Sequence, residues 1–378
     1  METRFLSTPK NDCVLGRQIA FFAAFILPVY KFLELPSILS RFAGGDLLLP
    51  ALLHYALQTG VLIALIFLIS RLEKPLVEAL KDKIGKWSVL LYALYGVYFL
   101  FAGVLPLLDL EKFVYAIFYD TSPTFFSFAF FFLFSAFVCA RGLKALGRFA
   151  DLSVFLFLIP FLALVTMSVA EADTTSLLPF FERGFGDTMY AFNYSSPHFS
   201  DIALLLPLLA NLRYQKNDGK KIVGGYALGG AFTLLFLGVF YALYSSIAPR
   251  EHYAFAKIAQ YFPALTVIGR VDLLFVYLLC TLLFTFVATP LLYATDIAAT
   301  LLGTKRRTLF SVILNGSAFV FVLFSNRHYD GFYRVFGRYL FPVFWIFSTL
   351  LPLALLLLLP KKRASLQEKR NKKENGYA

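Results

Sequence analysis

Apolar runs of about twenty residues alternate along this chain with short polar stretches, and ten such runs can be marked off. They cover 18–43, 47–70, 87–108, 123–140, 149–170, 187–212, 222–248, 269–290, 307–324 and 335–359. About 20 helical residues cross the roughly 30 Å of hydrocarbon in a bilayer. The pattern therefore predicts an all-α polytopic membrane protein with ten transmembrane helices. After the eighth run, Leu291 to Gly303 either extends that span or forms a short helix on the membrane surface.

Two runs interrupt themselves. In the first, Pro28 and Pro36 flank Lys31 and Glu34. In the sixth, Asn193-Tyr194-Ser195-Ser196-Pro197-His198 breaks an otherwise apolar stretch. A proline lacks the N–H that continues the helical ladder and clashes with the preceding turn. Polar groups freed at membrane depth are costly unless they meet partners or line a cavity. Ten spans divide into five plus five, 18–170 and 187–360, and an odd number places the halves in opposite orientations. Each half then opens with an interrupted helix, the arrangement of inverted-repeat transporters whose site lies between the two breaks.

Composition narrows the class. The chain is 59% hydrophobic with 45 Phe, more apolar surface than a soluble domain can hide. A net charge of +12 suggests nucleic acid, yet the basic residues sit in short loops and in the tail 361–378. With the segment 1–17 inside, Lys and Arg favour the inner loops by more than two to one, which places both termini in the cytoplasm. No nucleic-acid partner is expected, and membrane lipid is. The start of the chain lacks a signal-peptide pattern, so the first span should be retained. Cys13, Cys139 and Cys280 have no metal or disulfide spacing. HExxH, GxSxG and P-loop motifs are missing, so no enzyme class, metal or cofactor is supported. Gly224-Gly225 and Gly229-Gly230 lie inside a span, where small residues allow close helix packing.

The breaks supply the candidate chemistry. Unwinding near Pro28, with a helix resuming at Val29 and Tyr30, would aim a positive helix end at a carboxylate. Asn193, Tyr194, Ser195 and Ser196 would complete the cradle with carbonyls and hydroxyls for an ammonium. The competing reading is two proline kinks packed against neighbours. Lys31 and Glu34, three apart, can pair as a structural lock or serve as coupling groups with His198 and Asp201 in a proton relay. Tyr92, Tyr95 and Tyr98 form a stripe that either packs or caps the ligand. Thr281 and Thr285 either touch it or bond back to their own helix. Arg270 and Asp272, opening the eighth span, are placed to anchor or gate.

Several motifs resemble the GerAB family of spore germination permeases. They are Gly16-Arg17-Gln18, Leu35-Pro36-Ser37, Ala43-Gly44-Gly45-Asp46, Gly142 to Arg148, Leu177-Leu178-Pro179, Arg270-Val271-Asp272 and Pro352. The resemblance runs in order along the whole chain. Ile26 to Lys31 departs from it, being bulky and charged where many relatives are small. It implies the LeuT-like fold of the amino acid–polyamine–organocation superfamily and a place in the spore inner membrane. It also implies a small nutrient, usually an amino acid, and partnership with a larger membrane subunit and a lipoprotein subunit of a germinant receptor. Two rivals stand beside this reading: a proton-coupled amino-acid or amine transporter, and a membrane scaffold with a vestigial pocket.

Overall fold

All ten apolar runs are helical in a computed structural model of the chain, which describes residues 14–72, 76–118, 124–178, 183–212, 214–261, 272–304 and 306–358. Cys13, Pro179, Arg270, Val271 and the basic tail lie outside the described residues. Among the described residues, six helical runs are long and apolar enough to cross a membrane: Leu35–Ile69, Trp87–Ile117, Leu143–Val169, Asp218–Arg250, Leu273–Leu301 and Arg307–Ser325. Tyr329–Arg338 and Phe341–Leu355, bent by 59°, qualify as one broken span. The run Leu35–Ile69 turns at Gly44, whose φ of 60° suits a residue without Cβ. Phe130 and Phe324 are each 76% exposed on the outside of the bundle, where hydrocarbon rather than water fits such surface.

The first span begins as an α-helix, Gly16–Phe21, and widens into a π-helical turn over Phe22–Ile26. It resumes as α-helix through Leu27–Lys31, unwinds at Phe32 to Glu34, and continues as Leu35–Ala43. The break thus falls four to six residues beyond Pro28, the position at which the sequence predicts it. The π turn is the reason. Leu27 N–H reaches Phe22 O, so the ladder is already re-registered when Pro28 arrives without a donor. The tenth span repeats the device, with a π turn at Ile346–Leu350 two residues before Pro352.

A loop after the seventh span closes what the first break leaves open. Ala254 N–H donates to Leu33 O at 3.0 Å and Phe255 N–H to Phe32 O at 3.2 Å. Buried carbonyls require such partners. In the sixth span the helix Phe185–Tyr194 gives way to a 3-10 turn, Ser196–Phe199, before Asp201–Ala210 resumes. That interruption lies where the polar run placed it.

Two boundaries move in ways that matter. The third span continues through Val104–Phe118 rather than ending at 108, which carries Asp109 into the bundle. The eighth runs from Asp272 to Leu301 without interruption, so Leu291 to Leu301 extends that span.

The seventh helix lies against the π turn of the first. A Cβ added at Gly225 or Gly229 would fall against Ala20 O or Ala23 O, backbone atoms that cannot swing aside. Gly225→Ala and Gly229→Ala should each lower stability by about 1–3 kcal/mol through overpacking, although alanine is the better helix former. Gly224→Ala, whose Cβ meets nothing within 4 Å, should cost nothing. Thermal unfolding of the purified protein checks all three.

Candidate functional site

Side chains from the two breaks meet. Lys31 closes the last turn before the first interruption, and Asp201 opens the helix after the second. Their Nζ and Oδ1 atoms are 2.7 Å apart, and both side chains are 1% exposed. The remaining polar demand of Asp201 is met by Tyr226, whose hydroxyl donates to Oδ2 at 3.0 Å. Lys31 Nζ also reaches Leu27 O at 3.4 Å and lies 5.2 Å from the Phe199 ring and 5.7 Å from the Tyr55 ring. Two charges leave water at great expense, and a pair this close with added hydrogen bonds offsets that cost.

Gln58 of the second span holds the loose backbone of the sixth. Its Nε2 donates to Phe199 O, and its Oε1 accepts from Ile202 N–H at 3.4 Å and lies 3.2 Å from the Tyr226 hydroxyl oxygen. One turn earlier, His54 Nε2 hydrogen-bonds Phe192 O at 2.8 Å and lies 3.3 Å from Ser195 Oγ. The second span therefore serves as a splint along the break.

A second junction lies beside the ion pair. The Tyr30 ring is sandwiched between His198, 5.1 Å away, and Phe286, 4.9 Å away. Its hydroxyl donates to Asp109 Oδ2 at 2.8 Å, and Tyr329 and Tyr333 donate to the same carboxylate, each at 2.9 Å. Both ring nitrogens of His198 and the Ser196 hydroxyl are buried without a hydrogen-bond partner. These open groups lie at the junction itself.

Several anticipated contacts are different. Lys31 does not pair with Glu34, because the unwound turn between them destroys the helical i,i+3 register. Glu34 instead accepts from His252 Nδ1 at 2.7 Å. His198 and Asp201 form no mutual bond; one stacks on Tyr30 while the other holds Lys31 and Tyr226. With the helix resuming at Leu35, Val29 and Tyr30 stand before the break, and the helix end they border carries carbonyls rather than free amides. Pro28 packs toward the seventh helix near Gly229, and Val29 is fully buried.

Asn193 sits in the last turn before the sixth break, where its carbonyl accepts from Ser195 N–H. Tyr194 packs on Phe42 and over Gly337. Tyr95 and Tyr98 pack on Phe347 of the tenth span, and Tyr92 is half-buried. Thr281 and Thr285 bond back to the carbonyls of Tyr277 and Thr281. Asp272 is the first residue of the eighth helix, and Arg270 lies outside the described residues.

Residues not anticipated from the sequence are Asp109, Tyr329, Tyr333, Gln58, His54, Tyr226 and His252. Asp109 and the tyrosine pair stood just beyond the edges drawn for the third and tenth spans. His54 and Gln58, four apart in an apolar run, carried a readable signal: one polar stripe on a membrane helix.

A helical bundle in which two interrupted helices meet mid-chain through buried polar groups defines a permease-like integral membrane protein of the LeuT-like fold. The solved structure of MhsT in complex with L-phenylalanine shares that fold, with a TM-score of 0.62 at 15% identity, covering 91% of this chain and 87% of that one. Residues 51–330 match the family model described as "Spore germination protein", and the chain belongs to that permease family. No curated protein matches it.

Removing one member of the ion pair strands the other in the bundle. Asp201→Asn should cost about 3–5 kcal/mol of stability, and the Lys31→Met/Asp201→Leu double variant should recover much of it. Denaturation midpoints of the single and double variants check this.

His252 reports on the loop. Its hydrogen bond to Glu34 raises its pKa above the ordinary 6.5. The stabilisation is complete below that ordinary value and is lost as pH rises through the raised one. The stability gap between the parent and His252→Gln should be widest near about pH 6 and shrink toward about pH 9. Unfolding across that range measures it.

Proposed function

We propose that this protein is the permease-like subunit of a spore germinant receptor and binds a small nutrient, an amino acid, between its first and sixth helices. The observation that carries this reading is the pair of open, buried polar groups on the sixth break, His198 and Ser196, of which His198 stacks on Tyr30 of the first. A buried polar group without a partner costs about 1–3 kcal/mol, which a ligand that satisfies it returns as affinity. The amino acid bound by the structural neighbour MhsT supports the ligand class.

Recognition becomes a signal only when the ligand favours one conformation over another, since equal affinity moves no equilibrium. Lys31–Asp201 couples the two breaks, so a ligand that displaces either helix acts on both. The larger membrane subunit and the lipoprotein subunit would read that displacement. Excess basic charge on the inner loops supports cytoplasmic termini, and the family supports residence in the spore inner membrane.

A proton-coupled amino-acid or amine transporter is the second reading, favoured by the buried Lys31–Asp201 pair and by His198 beside it. Reconstitution into proteoliposomes separates the two. The receptor reading expects saturable binding of an amino acid without concentrative uptake under an imposed proton gradient; accumulation driven by that gradient overturns it. In either case Ser196→Ala and His198→Ala should weaken binding at least about tenfold, a loss of about 1.4 kcal/mol. Unchanged binding in both variants, measured by equilibrium dialysis, would remove the site from this junction.

A further inference from the structure

We propose that Asp109 with Tyr30, Tyr329 and Tyr333 forms a cage for the ammonium group of an amine-bearing ligand. This rests on the nutrient-binding reading above and adds to it the chemical group the ligand must carry.

The two buried carboxylates of the junction differ in one respect. Asp201 has its cation, Lys31, at 2.7 Å. Asp109, 0% exposed, has three phenol donors and, among the described residues, no ion pair. A carboxylate that accepts three hydroxyl hydrogens is arranged as an anion, because an ionised carboxylate only accepts. Three neutral donors hold that charge but do not cancel it. Oδ2 is filled by Tyr30 and Tyr333, and the remaining acceptor site on Oδ1, beside Tyr329, suits a cation.

The surroundings point the same way. Tyr329 and Tyr333, with rings 5.1 Å apart, offer the π faces that attract ammonium groups. Lys112 already places its Nζ 5.7 Å from the Tyr329 ring, so the rim of this cluster accommodates such a group. Glu34 adds a second carboxylate within electrostatic range, and its Oε1 is buried without a partner.

His198 supplies the independent sign of a ligand. It is 3% exposed, neither ring nitrogen is bonded, and its ring stacks on Tyr30 and lies 6.4 Å from Tyr333. Those are the two tyrosines bonded to Asp109 Oδ2. A ligand with its ammonium at Asp109 therefore has His198 within reach of its other polar group. An amine satisfies the cage alone; an amino acid satisfies both ends.

The test uses the full-length protein purified in detergent and matched sets of probes. Each set holds an amino acid, its decarboxylated amine and its deaminated acid: L-phenylalanine, phenethylamine and 3-phenylpropionate; L-leucine, 3-methylbutylamine and 4-methylpentanoate; L-alanine, ethylamine and propionate. In at least one set the amino acid and the amine should raise the unfolding temperature while the acid does not. Asp109→Asn, which keeps the shape and removes the charge, should weaken both at least tenfold. His198→Ala should weaken the amino acid more than the amine. Tyr333→Phe, which keeps the ring and removes one donor, gives a milder variant if Asp109→Asn fails to fold, and should also weaken amine binding. An acid that stabilises as well as its amino acid, or full affinity in Asp109→Asn, overturns the assignment while leaving nutrient binding intact. No shift with any probe in the parent overturns both together.

Discussion

An ammonium and a carboxylate 2.7 Å apart, shut away from water, tie the first interrupted helix to the sixth. Every other feature of the centre is arranged around that contact. Tyr226 and Gln58 are drawn to it because Asp201 has a second oxygen to satisfy and Phe199 and Ile202 have loose backbone groups beside it. The seventh helix must come close enough to place Tyr226, which is why glycines face the first helix at Gly225 and Gly229. A charged pair in this position gives the two halves of the bundle a shared mechanical element. Movement of one break stretches or rotates the contact with the other.

Interrupting a helix within a membrane creates a specific debt of unbonded amides and carbonyls, and the two breaks discharge it differently. The first borrows backbone donors from the opening turn of the short helix Ala254–Tyr261 in the loop after the seventh span, Ala254 and Phe255. The sixth uses side chains of the second span, Gln58 and His54. A break closed by a loop can be reopened by moving that loop, whereas one splinted by a neighbouring helix moves with the helix. Glu34 and His252 reinforce the loop closure at the same place. The asymmetry fits a molecule whose first helix responds to what approaches from the loop side while its sixth helix supplies a fixed wall.

Membership in the spore germination permease family and the fold shared with MhsT set the frame for these observations. Within it, the chain fills the approach to its first break with its own chemistry: a bulky, charged sequence from Ile26 to Lys31, beside a carboxylate from the third helix that accepts from three tyrosines. Lys31 and Asp201 pair with each other, whereas Asp109 accepts three phenol hydroxyls and, among the described residues, has no ion pair.

Helical periodicity, span length and the two proline-containing polar runs determined the architecture by themselves. A polypeptide in hydrocarbon must satisfy its own backbone, so apolar length dictates helix, and an interruption shows as polar residues and proline at membrane depth. The same logic located the sixth break within Asn193 to His198 and singled out Lys31, His198 and Asp201 as candidates beside the two interruptions. Partner choice was beyond it. Lys31 and Glu34 are three apart in sequence, yet the turn at Phe32 to Glu34 sends them to different elements, one to Asp201 and the other to His252. The cage around Asp109 draws on the first, third and tenth spans, residues 79 to 224 positions apart, and no local pattern encodes that convergence. The position of the first break was likewise a tertiary outcome: a π turn absorbed Pro28, and the loop after the seventh span offered its donors to Phe32 and Leu33, so unwinding settled where those bonds could be made.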